Sequence, residues 1–439
     1  MKLLHVKIFL FYAFLGNALS PIELKGDQLS CDTSAFVAFL INAEDGKVLF
    51  ARNAEEPFYP ASTTKVATAL YALHKKSESI DEIITVSQDC VSTVPIAVRR
   101  SGGKHPSYRL EFGGTHIGLK VGEQMDLKSL LYGLMLPSGN DAANVIAEAV
   151  SGSVPAFMRE LNDFLQSIGC SRTQFKNPHG LPDLEHVTTA KDLAIMAQFA
   201  MKSAVFREIV SSSKFLRPQT NKQPEVLLSQ GNSLVKPGAK HFYPHATGLK
   251  TGYTIQAGHA IIAAARKGDR SLIAVVSHQE GSDKRYRSVI QLFEAAFQEV
   301  KQTRTLFSGA HDTFSQKIEG AKDVLKAALI EDVVVSFYPS ENKKYHSQLQ
   351  WKLEDLPIFA GSQVGEVQIF DESNSLQESV PIFSVKEVLP TFSYKMQKNI
   401  SKGRDWIKEH RLYIAYFMAF VLLVVALRRV VGKKKNQKA

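Results

Sequence analysis

The sequence of 439 residues contains few cysteines and lacks the motifs of several common catalytic centres. Its three cysteines, Cys31, Cys90 and Cys170, form no C-x-x-C pair, so their spacing supports neither a metal site nor a disulfide framework. There is no H-E-x-x-H metal motif and no G-x-S-x-G turn, which carries the serine of many hydrolases. We therefore expect no metal ion and no other cofactor.

Excess positive charge is absent from most of the chain. The net charge is +10, and the residues from Lys395 onward, with twelve basic and two acidic side chains, account for all of it. Because the preceding residues are net neutral, we expect no nucleic acid as a partner. A basic tail beside an apolar run is instead typical of a membrane protein terminus.

Both ends of the chain carry patterns of export and membrane attachment. Residues 1–20 combine a basic start, an apolar stretch and small residues, which predicts a signal peptide. Residues 412–431 are mostly apolar with arginines at the margins, which predicts a transmembrane anchor. The basic residues 432–439 then form a cytosolic tail, and the bulk of the chain lies on the outer, periplasmic face of the cytoplasmic membrane.

The patterning between these ends indicates two domains and a stalk. In 30–302, strand patterns come first, helical periodicity fills about 62–200, and a strand pair with a final helix follows. This order predicts an α+β domain: one antiparallel sheet built from both ends of the segment, covered by helices, with an inserted helical subdomain. Short strands spaced by turns predict a small all-β domain over 310–388, with one helical stretch at 322–328, and 389–411 forms the stalk.

The most informative motif is Ser-x-x-Lys, although it occurs at least five times. Ser62 precedes Lys65 and opens the run 66–73, which has good helix formers and an apolar face. Helical residues three apart lie about 5–6 Å apart on one face, so the Lys65 amine can reach the Ser62 hydroxyl. The other matches lack a comparable following helix; they begin at Ser101, Ser211, Ser233 and Ser340. Ser62 and Lys65 are therefore the candidate nucleophile and base.

A serine hydroxyl is a poor nucleophile at neutral pH and needs a base. Lysine can be that base when burial and nearby positive charge lower its pKa. Lys250, far downstream, offers that second charge, and so does the partially positive end of the helix that Ser62 opens.

The segment Ser138-Gly139-Asn140 follows the helical pattern 127–136 at Pro137. Taken alone it is typical of a helix-terminating turn. The same turn can hold a hydroxyl and an amide beside a cleft. Ser138 would then relay a proton to the leaving group, and Asn140 would bind Lys65 and a substrate amide.

The segment Lys250-Thr251-Gly252 is predicted to lie on a strand. Taken alone it also fits an ordinary turn before a hairpin. Functionally, Lys250 and Thr251 offer a charge and a hydroxyl suited to a terminal carboxylate. Gly252 would let a substrate backbone approach the strand closely.

With these motifs in this order, the sequence resembles the low-molecular-weight penicillin-binding proteins, which are serine-type D-alanyl-D-alanine carboxypeptidases. The resemblance covers about 34–300 closely and 310–388 more weakly, and it is carried by segments 60–65, 130–143, 177–181 and 248–254. It implies a β-lactamase/transpeptidase-like fold. It also implies removal of the terminal D-alanine from peptidoglycan stem peptides and acylation of Ser62 by β-lactams.

The resemblance further implies an oxyanion hole formed by the backbone N–H groups of Ser62 and Tyr253. Two features depart from the family pattern. Residues 91–115 form an insertion in a loop near the mouth of the site, which leaves the preferred stem peptide open. The predicted span at the chain end replaces the in-plane amphipathic helix of many relatives.

Three other functions share parts of this pattern. A β-lactamase has the same motifs, but its middle motif is usually Ser-Asp-Asn, and no glutamate-bearing deacylation loop is evident here. A D,D-endopeptidase that cuts cross-linked peptidoglycan uses closely related chemistry. A membrane-bound β-lactam sensor would need a signalling domain, and the tail after the predicted span is about ten residues long.

Overall fold

The computed structural model describes residues 29–353, 355–372 and 374–435. The predicted signal peptide, 1–20, lies outside the described residues, as does the end of the predicted basic tail. The described residues form two compact units. The first unit contains 29–302 and 337–342, and the second contains 303–336 and the residues from 343 onward.

The first unit has strands first, mainly helices in the middle, and strands with a helix last, as predicted, but two short strands fall within the range 62–200 predicted as helical and two more precede Lys250. Its strands are β1 Val37–Asn42, β2 Val48–Arg52, β3 Ile83–Thr85, β4 Gln124–Asp126, β5 Lys214–Arg217, β6 Val226–Ser229, β7 Ala246–Thr254, β8 Gly258–Lys267 and β9 Arg270–Gln279. Its helices are α1 Lys65–Lys76, α2 Gln88–Val91, α3 Ile96–Ser101, α4 Leu127–Met135, α5 Asn140–Ser151, α6 Val154–Ser167, α7 Ala190–Ala200, α8 Ala204–Ser211 and α9 Ser282–Phe297.

The main sheet has five strands in the order β2-β1-β9-β8-β7, and the pairings between neighbours are antiparallel. Strand β1 pairs with β9 along its whole length, so both ends of the segment meet in one sheet, as the sequence predicts. Strand β7, which carries Lys250-Thr251-Gly252, is the edge strand and leaves one side without a strand partner in this sheet. An edge strand can pair with an extended peptide.

The continuous apolar run of β1 is explained by burial of both faces of the sheet. Val37, Phe39 and Ile41 enter one hydrophobic core, which contains residues of α1 and α4–α7. Ala38 and Leu40 enter a second core on the opposite face, which contains one side of α9. Alternate side chains of a strand point to opposite faces, so a strand covered on both sides must be apolar throughout.

The second unit is built mainly of strands. These are β10 Gln302–Phe307, β11 Thr313–Gln316, β12 Leu325–Ala328, β13 Val333–Phe337, β14 Tyr345–Trp351, β15 Gln363–Asp371 and β16 Leu376–Ser384, followed by α10 Phe392–Glu409 and α11 Arg411–Lys435. Five of the strands form a sheet in the order β11-β12-β16-β15-β14. The helical prediction for 322–328 is wrong, because 325–328 pair as strand β12 with β11 and β16.

The residues predicted as stalk and anchor are helical. The 389–411 segment contains α10, and 412–431 falls within α11. In the part of the chain that the structure describes, no helix combines the length and apolarity needed to cross a membrane.

Candidate active site

Ser62 lies in a 3₁₀ turn, Ala61–Thr64, and helix α1 begins directly after it at Lys65. The sequence predicts that Ser62 opens an α-helix; in the structure a tighter turn that contains Ser62 precedes this helix. The turn still brings the two side chains together, because Lys65 Nζ lies 3.1 Å from Ser62 Oγ. Ser62 is half-buried, whereas Lys65 is completely buried.

The Lys65 amine has three hydrogen-bonding neighbours. Nζ donates to Asn140 Oδ1 at 2.7 Å and to the carbonyl oxygen of His179 at 2.7 Å. The third neighbour is the Ser62 hydroxyl. A neutral amine has two N–H donors and one lone pair, so with both donors occupied by pure acceptors the lone pair faces the hydroxyl. The hydrogen bond then runs from Ser62 Oγ to Lys65 Nζ, which is the arrangement a general base needs.

The electrostatic surroundings favour this neutral form. Burial lowers the pKa of Lys65 well below its ordinary value, and the positive charge of Lys250 lowers it further. Asp141 acts in the opposite direction with a smaller effect. The two causes that were expected from the sequence, burial and Lys250, are therefore the leading ones.

Lys250 lies on β7 and is also buried. Burial, together with the neighbouring Arg285 guanidinium, lowers the pKa of Lys250 to about 7. Its Nζ donates to the carbonyl oxygen of Thr251 at 3.1 Å, and no carboxylate of the described residues forms an ion pair with it. A buried ammonium without a counter-ion is suited to receive an anionic ligand.

Gly252 allows β7 to lie against the turn that carries the nucleophile. A Cβ atom at this position would be 2.9 Å from the Pro60 carbonyl oxygen and 3.2 Å from the backbone nitrogen of Ser62. A side chain would therefore push the strand away from Ser62. The next residue, Tyr253, is 56% exposed, and its ring stacks on His259 at 4.3 Å between centroids.

The Ser138–Asn140 turn contacts Lys65 through the Asn140 side chain. Asn140 is the first residue of α5, and its backbone nitrogen donates to the Thr115 carbonyl oxygen at 2.8 Å, which ties the turn to the end of segment 91–115, the segment predicted to be an insertion. Ser138 Oγ is buried and has no hydrogen-bond partner among the described residues. An unpaired buried hydroxyl is costly and requires an explanation, and a role in the site is one such explanation.

Backbone strain coincides with all three motifs. Ala61, Ser138 and Leu249 have positive φ values of 49°, 74° and 91°. Non-glycine residues adopt this region rarely, and such strain often clusters at functional sites. Ala61 directly precedes Ser62, and Leu249 directly precedes Lys250. Ser138 is itself the first residue of the Ser138–Asn140 motif.

Sequence reasoning missed two residues of the site. His179 was noted only as part of the Asn-Pro-His-Gly-Leu segment, yet its carbonyl oxygen receives one of the two Lys65 hydrogen bonds. Its ring Nε2 donates to the Tyr108 carbonyl oxygen at 3.1 Å, because Nδ1 already accepts from the Leu181 backbone nitrogen. Arg285, on α9, donates to the Gly252 carbonyl oxygen at 3.2 Å.

The 177–181 segment itself offered the signal for His179. Gly180 has a φ of 91°, and a Cβ atom there would lie 1.8 Å from the Ala61 carbonyl oxygen. The loop therefore packs directly under the nucleophile turn. Arg285 has no comparable sequence signal.

The described residues contain no group of three or more histidine, cysteine, aspartate or glutamate side chains arranged to hold a metal ion. The three cysteines are free thiols.

Comparison with known proteins points to one family. Residues 25–281 match the family model described as D-alanyl-D-alanine carboxypeptidase. The D-alanyl-D-alanine carboxypeptidase DacF of Bacillus subtilis is 30% identical over 78% of this chain and 83% of its own length. The DacD enzyme of Salmonella typhimurium is 27% identical over 86% of this chain and 93% of its own length. The crystal structure of penicillin-binding protein 6B from Escherichia coli covers 83% of this chain and 98% of its own, with a TM-score of 0.57 and 21% identity, which shows a common fold.

Proposed function

The chain belongs to the D-alanyl-D-alanine carboxypeptidase family, and from this premise we propose that it removes the terminal D-alanine from peptidoglycan stem pentapeptides through an acyl-enzyme on Ser62. It is a serine peptidase, and acylation by penicillin is consistent with the family. The observation that carries the assignment to these residues is the position of the Lys65 amine, which lies 3.1 Å from Ser62 Oγ and donates to Asn140 Oδ1 and to the His179 carbonyl oxygen.

In the proposed reaction, Lys65 takes the Ser62 hydroxyl proton as Oγ attacks the carbonyl carbon of the penultimate D-alanine. The backbone N–H groups of Ser62 and Tyr253 bind the oxygen that becomes negatively charged. Ser138 relays the proton from Lys65 to the leaving nitrogen, the C–N bond breaks, and free D-alanine departs. Water, deprotonated by Lys65, then cleaves the ester and restores Ser62.

The remaining motif residues would hold the substrate. An extended peptide would lie along the free edge of β7, where Gly252 permits close approach. Its terminal carboxylate would meet Lys250 and the hydroxyl of Thr251. Asn140 uses Oδ1 for Lys65, which leaves its Nδ2 to donate to the carbonyl oxygen of the preceding peptide unit.

The assay that tests this proposal measures free D-alanine released from a pentapeptide ending in D-Ala-D-Ala, beside hydrolysis of a cross-linked peptide dimer. We expect release from the pentapeptide, and a loss of more than about 1,000-fold in Ser62→Ala. The matched control is Ser211→Ala, because Ser211 begins another Ser-x-x-Lys match and is exposed at the end of α8. Faster cleavage of the dimer would identify a D,D-endopeptidase. Penicillin labelling that survives Ser62→Ala would refute the nucleophile.

We also propose that the C-terminal residues attach the enzyme to the outer face of the cytoplasmic membrane. The support is the run of large apolar side chains exposed on α11 between Leu412 and Val425, together with basic residues on both sides of the run. Removal of 412–439 should move the protein from the membrane fraction to the supernatant. A shortened chain that still sediments with membranes at high salt would contradict this attachment.

A further inference from the structure

The two acceptors that orient the Lys65 amine are both connected to one helix, α5. Asn140, the first residue of α5, accepts from Lys65 directly through its side chain. Asn144 lies four residues later, and residues four apart on a helix share one face. Asn144 is completely buried, and its amide leads to the second acceptor, the His179 carbonyl oxygen, through a short path of hydrogen bonds.

Three hydrogen bonds make up the path from Asn144 to the Lys65 amine. Asn144 Nδ2 donates to the Tyr108 carbonyl oxygen at 2.9 Å. The same oxygen accepts from His179 Nε2 at 3.1 Å, and the His179 carbonyl oxygen accepts from Lys65 Nζ at 2.7 Å. Segment 91–115, which contains Tyr108, therefore connects α5 with the loop that holds the base.

The His179 ring has a single N–H group, and the Tyr108 carbonyl oxygen is its acceptor. Burial holds the pKa of His179 well below the ordinary histidine value, so the ring is neutral. Its Nδ1 accepts from the Leu181 backbone nitrogen at 3.2 Å, which leaves the proton on Nε2. A shift of Tyr108 would leave this buried donor without an acceptor. We therefore expect the ring, and with it the His179 backbone, to follow Tyr108.

The Asn144 amide uses both of its N–H groups to hold the backbone of this region. The second one donates to the Cys90 carbonyl oxygen at 3.1 Å, and Cys90 belongs to α2, which leads into segment 91–115. Asn144 Oδ1 is buried and has no hydrogen-bond partner among the described residues. An unsatisfied buried acceptor is costly, and an apolar side chain of the same size would avoid that cost. Packing alone therefore does not account for an asparagine at this position.

Other contacts fix the segment around Tyr108. The Tyr108 hydroxyl donates to Asp89 at 3.0 Å, and Arg109 forms an ion pair with Asp89 at 2.8 Å. Ser107 Oγ donates to the Lys176 carbonyl oxygen at 3.0 Å. Because Tyr108 and both of its neighbours in the chain are held, its carbonyl oxygen is a fixed point for the histidine ring.

We propose that Asn144 is a positioning residue for the general base. It holds the Tyr108 carbonyl oxygen, which orients the His179 ring and so keeps the His179 carbonyl oxygen within hydrogen-bonding distance of Lys65. The inference rests on the proposed function for the role of Lys65 and adds that a segment outside the three motifs sets the geometry of the base. When this acceptor shifts, the amine turns away from Ser62, and proton transfer slows while ligand binding is retained.

The experiment measures the rate of penicillin acylation over a range of penicillin concentrations, which separates the limiting rate constant from the half-saturating concentration. Asn144→Leu removes both donors and keeps the size of the side chain. We expect the limiting rate constant to fall about tenfold or more, the scale of a misplaced catalytic group, with the half-saturating concentration unchanged. The matched control is Asn162→Leu on α6, because Asn162 also donates to two backbone carbonyl oxygens, those of Met158 and Phe175. It should leave both constants unchanged.

Two variants of His179 test the same path in case Asn144→Leu yields no folded protein. His179→Gln places an amide N–H group where the ring Nε2 lies and can still donate to the Tyr108 carbonyl oxygen, whereas His179→Leu cannot. We expect the glutamine variant to be acylated about tenfold faster than the leucine variant. In the double variant with Asn144→Leu and His179→Leu, the two losses should not multiply, because both substitutions break one path.

Several results would overturn the positioning role. They are an unchanged limiting rate constant in Asn144→Leu, a loss of the same size in Asn162→Leu, losses that multiply in the double variant, equal rates for the two His179 variants, and an effect confined to the half-saturating concentration. First-order rate constants do not depend on the fraction of folded enzyme, so a folding defect is not read as a misplaced base. No D-alanine release by the unmodified enzyme would overturn the proposed function, and the acylation rates would still decide the role of Asn144.

Discussion

Two lysines share the site, and the charge of Lys250 makes protonation of Lys65 more difficult. Replacing the cation in Lys250→Met removes this repulsion, so the pKa of Lys65 rises. The neutral base is then available only at higher pH, and the acidic limb of the penicillin acylation rate should shift to higher pH. Rates measured with a fluorescent penicillin across pH test this. An unshifted limb, as expected for the control Lys75→Met, would mean that Lys65 is not the titrating base.

We expect Arg285 to affect the alkaline limb of the pH–rate profile, because its positive charge lowers the pKa of Lys250. The pKa of Lys250 is about 7, so its cationic form, which is proposed to receive the substrate carboxylate, is lost as pH rises above that value. Arg285→Gln removes a neighbouring positive charge, raises the pKa of Lys250, and should move the alkaline limb of kcat/KM to higher pH. Arg287→Gln is the control, because Arg287 is exposed on the same helix. Equal shifts in the two variants would exclude a local effect of Arg285.

A substitution at Gly180 tests how closely the segment 177–181 packs against the turn that carries Ser62. Gly180→Ala places a methyl group against the Ala61 carbonyl, so we expect a loss of about 2–4 kcal/mol in unfolding free energy and slower penicillin labelling. Gly238→Ala separates the two causes, because Gly238 has a φ of 80° but nothing within 4 Å of the added atom. It should cost about 1 kcal/mol and leave labelling unchanged. Equal losses in denaturant titrations would mean that backbone strain alone is responsible.

At the residue scale, local motifs predicted Ser62, Lys65, Asn140 and Lys250 as members of one site, because each motif sets its own turn or strand. Arg285 could not be predicted. Arg287 lies two positions away on the same helix, and only the rotation of α9 about its axis, as it packs on the sheet, decides which guanidinium faces Gly252. That rotation depends on tertiary packing, which a single sequence does not specify.

At the scale of elements, the 174–187 loop is held by buried histidines. Thr64 Oγ1 donates to the Ala61 carbonyl oxygen and therefore accepts from His186 Nε2 at 2.9 Å, while His186 Nδ1 accepts from the Lys176 backbone nitrogen. Burial is the main cause that lowers the pKa of His186 to about 3. The ring is therefore neutral in the folded protein.

The consequence is loss of stability in acid. Between the ordinary histidine pKa of about 6.5 and about 3, the unfolded chain binds a proton at this position and the folded chain does not. Unfolding free energy should thus fall with decreasing pH by up to about 1.4 kcal/mol per unit from His186 alone. Denaturant titrations at several pH values should show a shallower slope in His186→Gln. An identical slope would mean that the histidine titrates alike in both states.

An element that was predicted in the wrong conformation, strand β12, shows where sequence patterns fail. Strand β12, Leu325–Ala328, consists of good helix formers, yet it pairs with β11 and β16. Four residues are too few for propensity to decide, and pairing with two neighbouring strands prevails. The long strands β8 and β9 were predictable because each has an extended apolar run and a short turn joins them.

At the scale of the molecule, the first unit includes six residues that lie far along the chain. In this stretch, 337–342, Glu341 accepts from buried Arg270 Nε at 2.7 Å, and Ser340 donates to Glu299 at 2.6 Å. No local pattern connects positions 71 residues apart, so this segment falls within the β domain predicted from the sequence.

Glu341→Ala tests the contribution of this returning segment. Arg270 keeps Glu299 but loses one charged partner in a buried setting, so we expect a loss of about 1–3 kcal/mol in the unfolding free energy. Glu280→Ala, which breaks an exposed ion pair with Lys284, should cause no measurable change. Equal unfolding curves for the two variants would show that 337–342 does not stabilise the unit.

The unpaired ammonium of Lys250 also limits how resistant to heat this enzyme can become. An apolar side chain of similar length would fill the same space without the desolvation cost of a cation. Selection for thermal stability alone would therefore favour the loss of Lys250, whereas selection for turnover retains it. At this position stability and activity oppose each other. A stabilised version of the enzyme must therefore gain unfolding free energy through substitutions elsewhere in the chain.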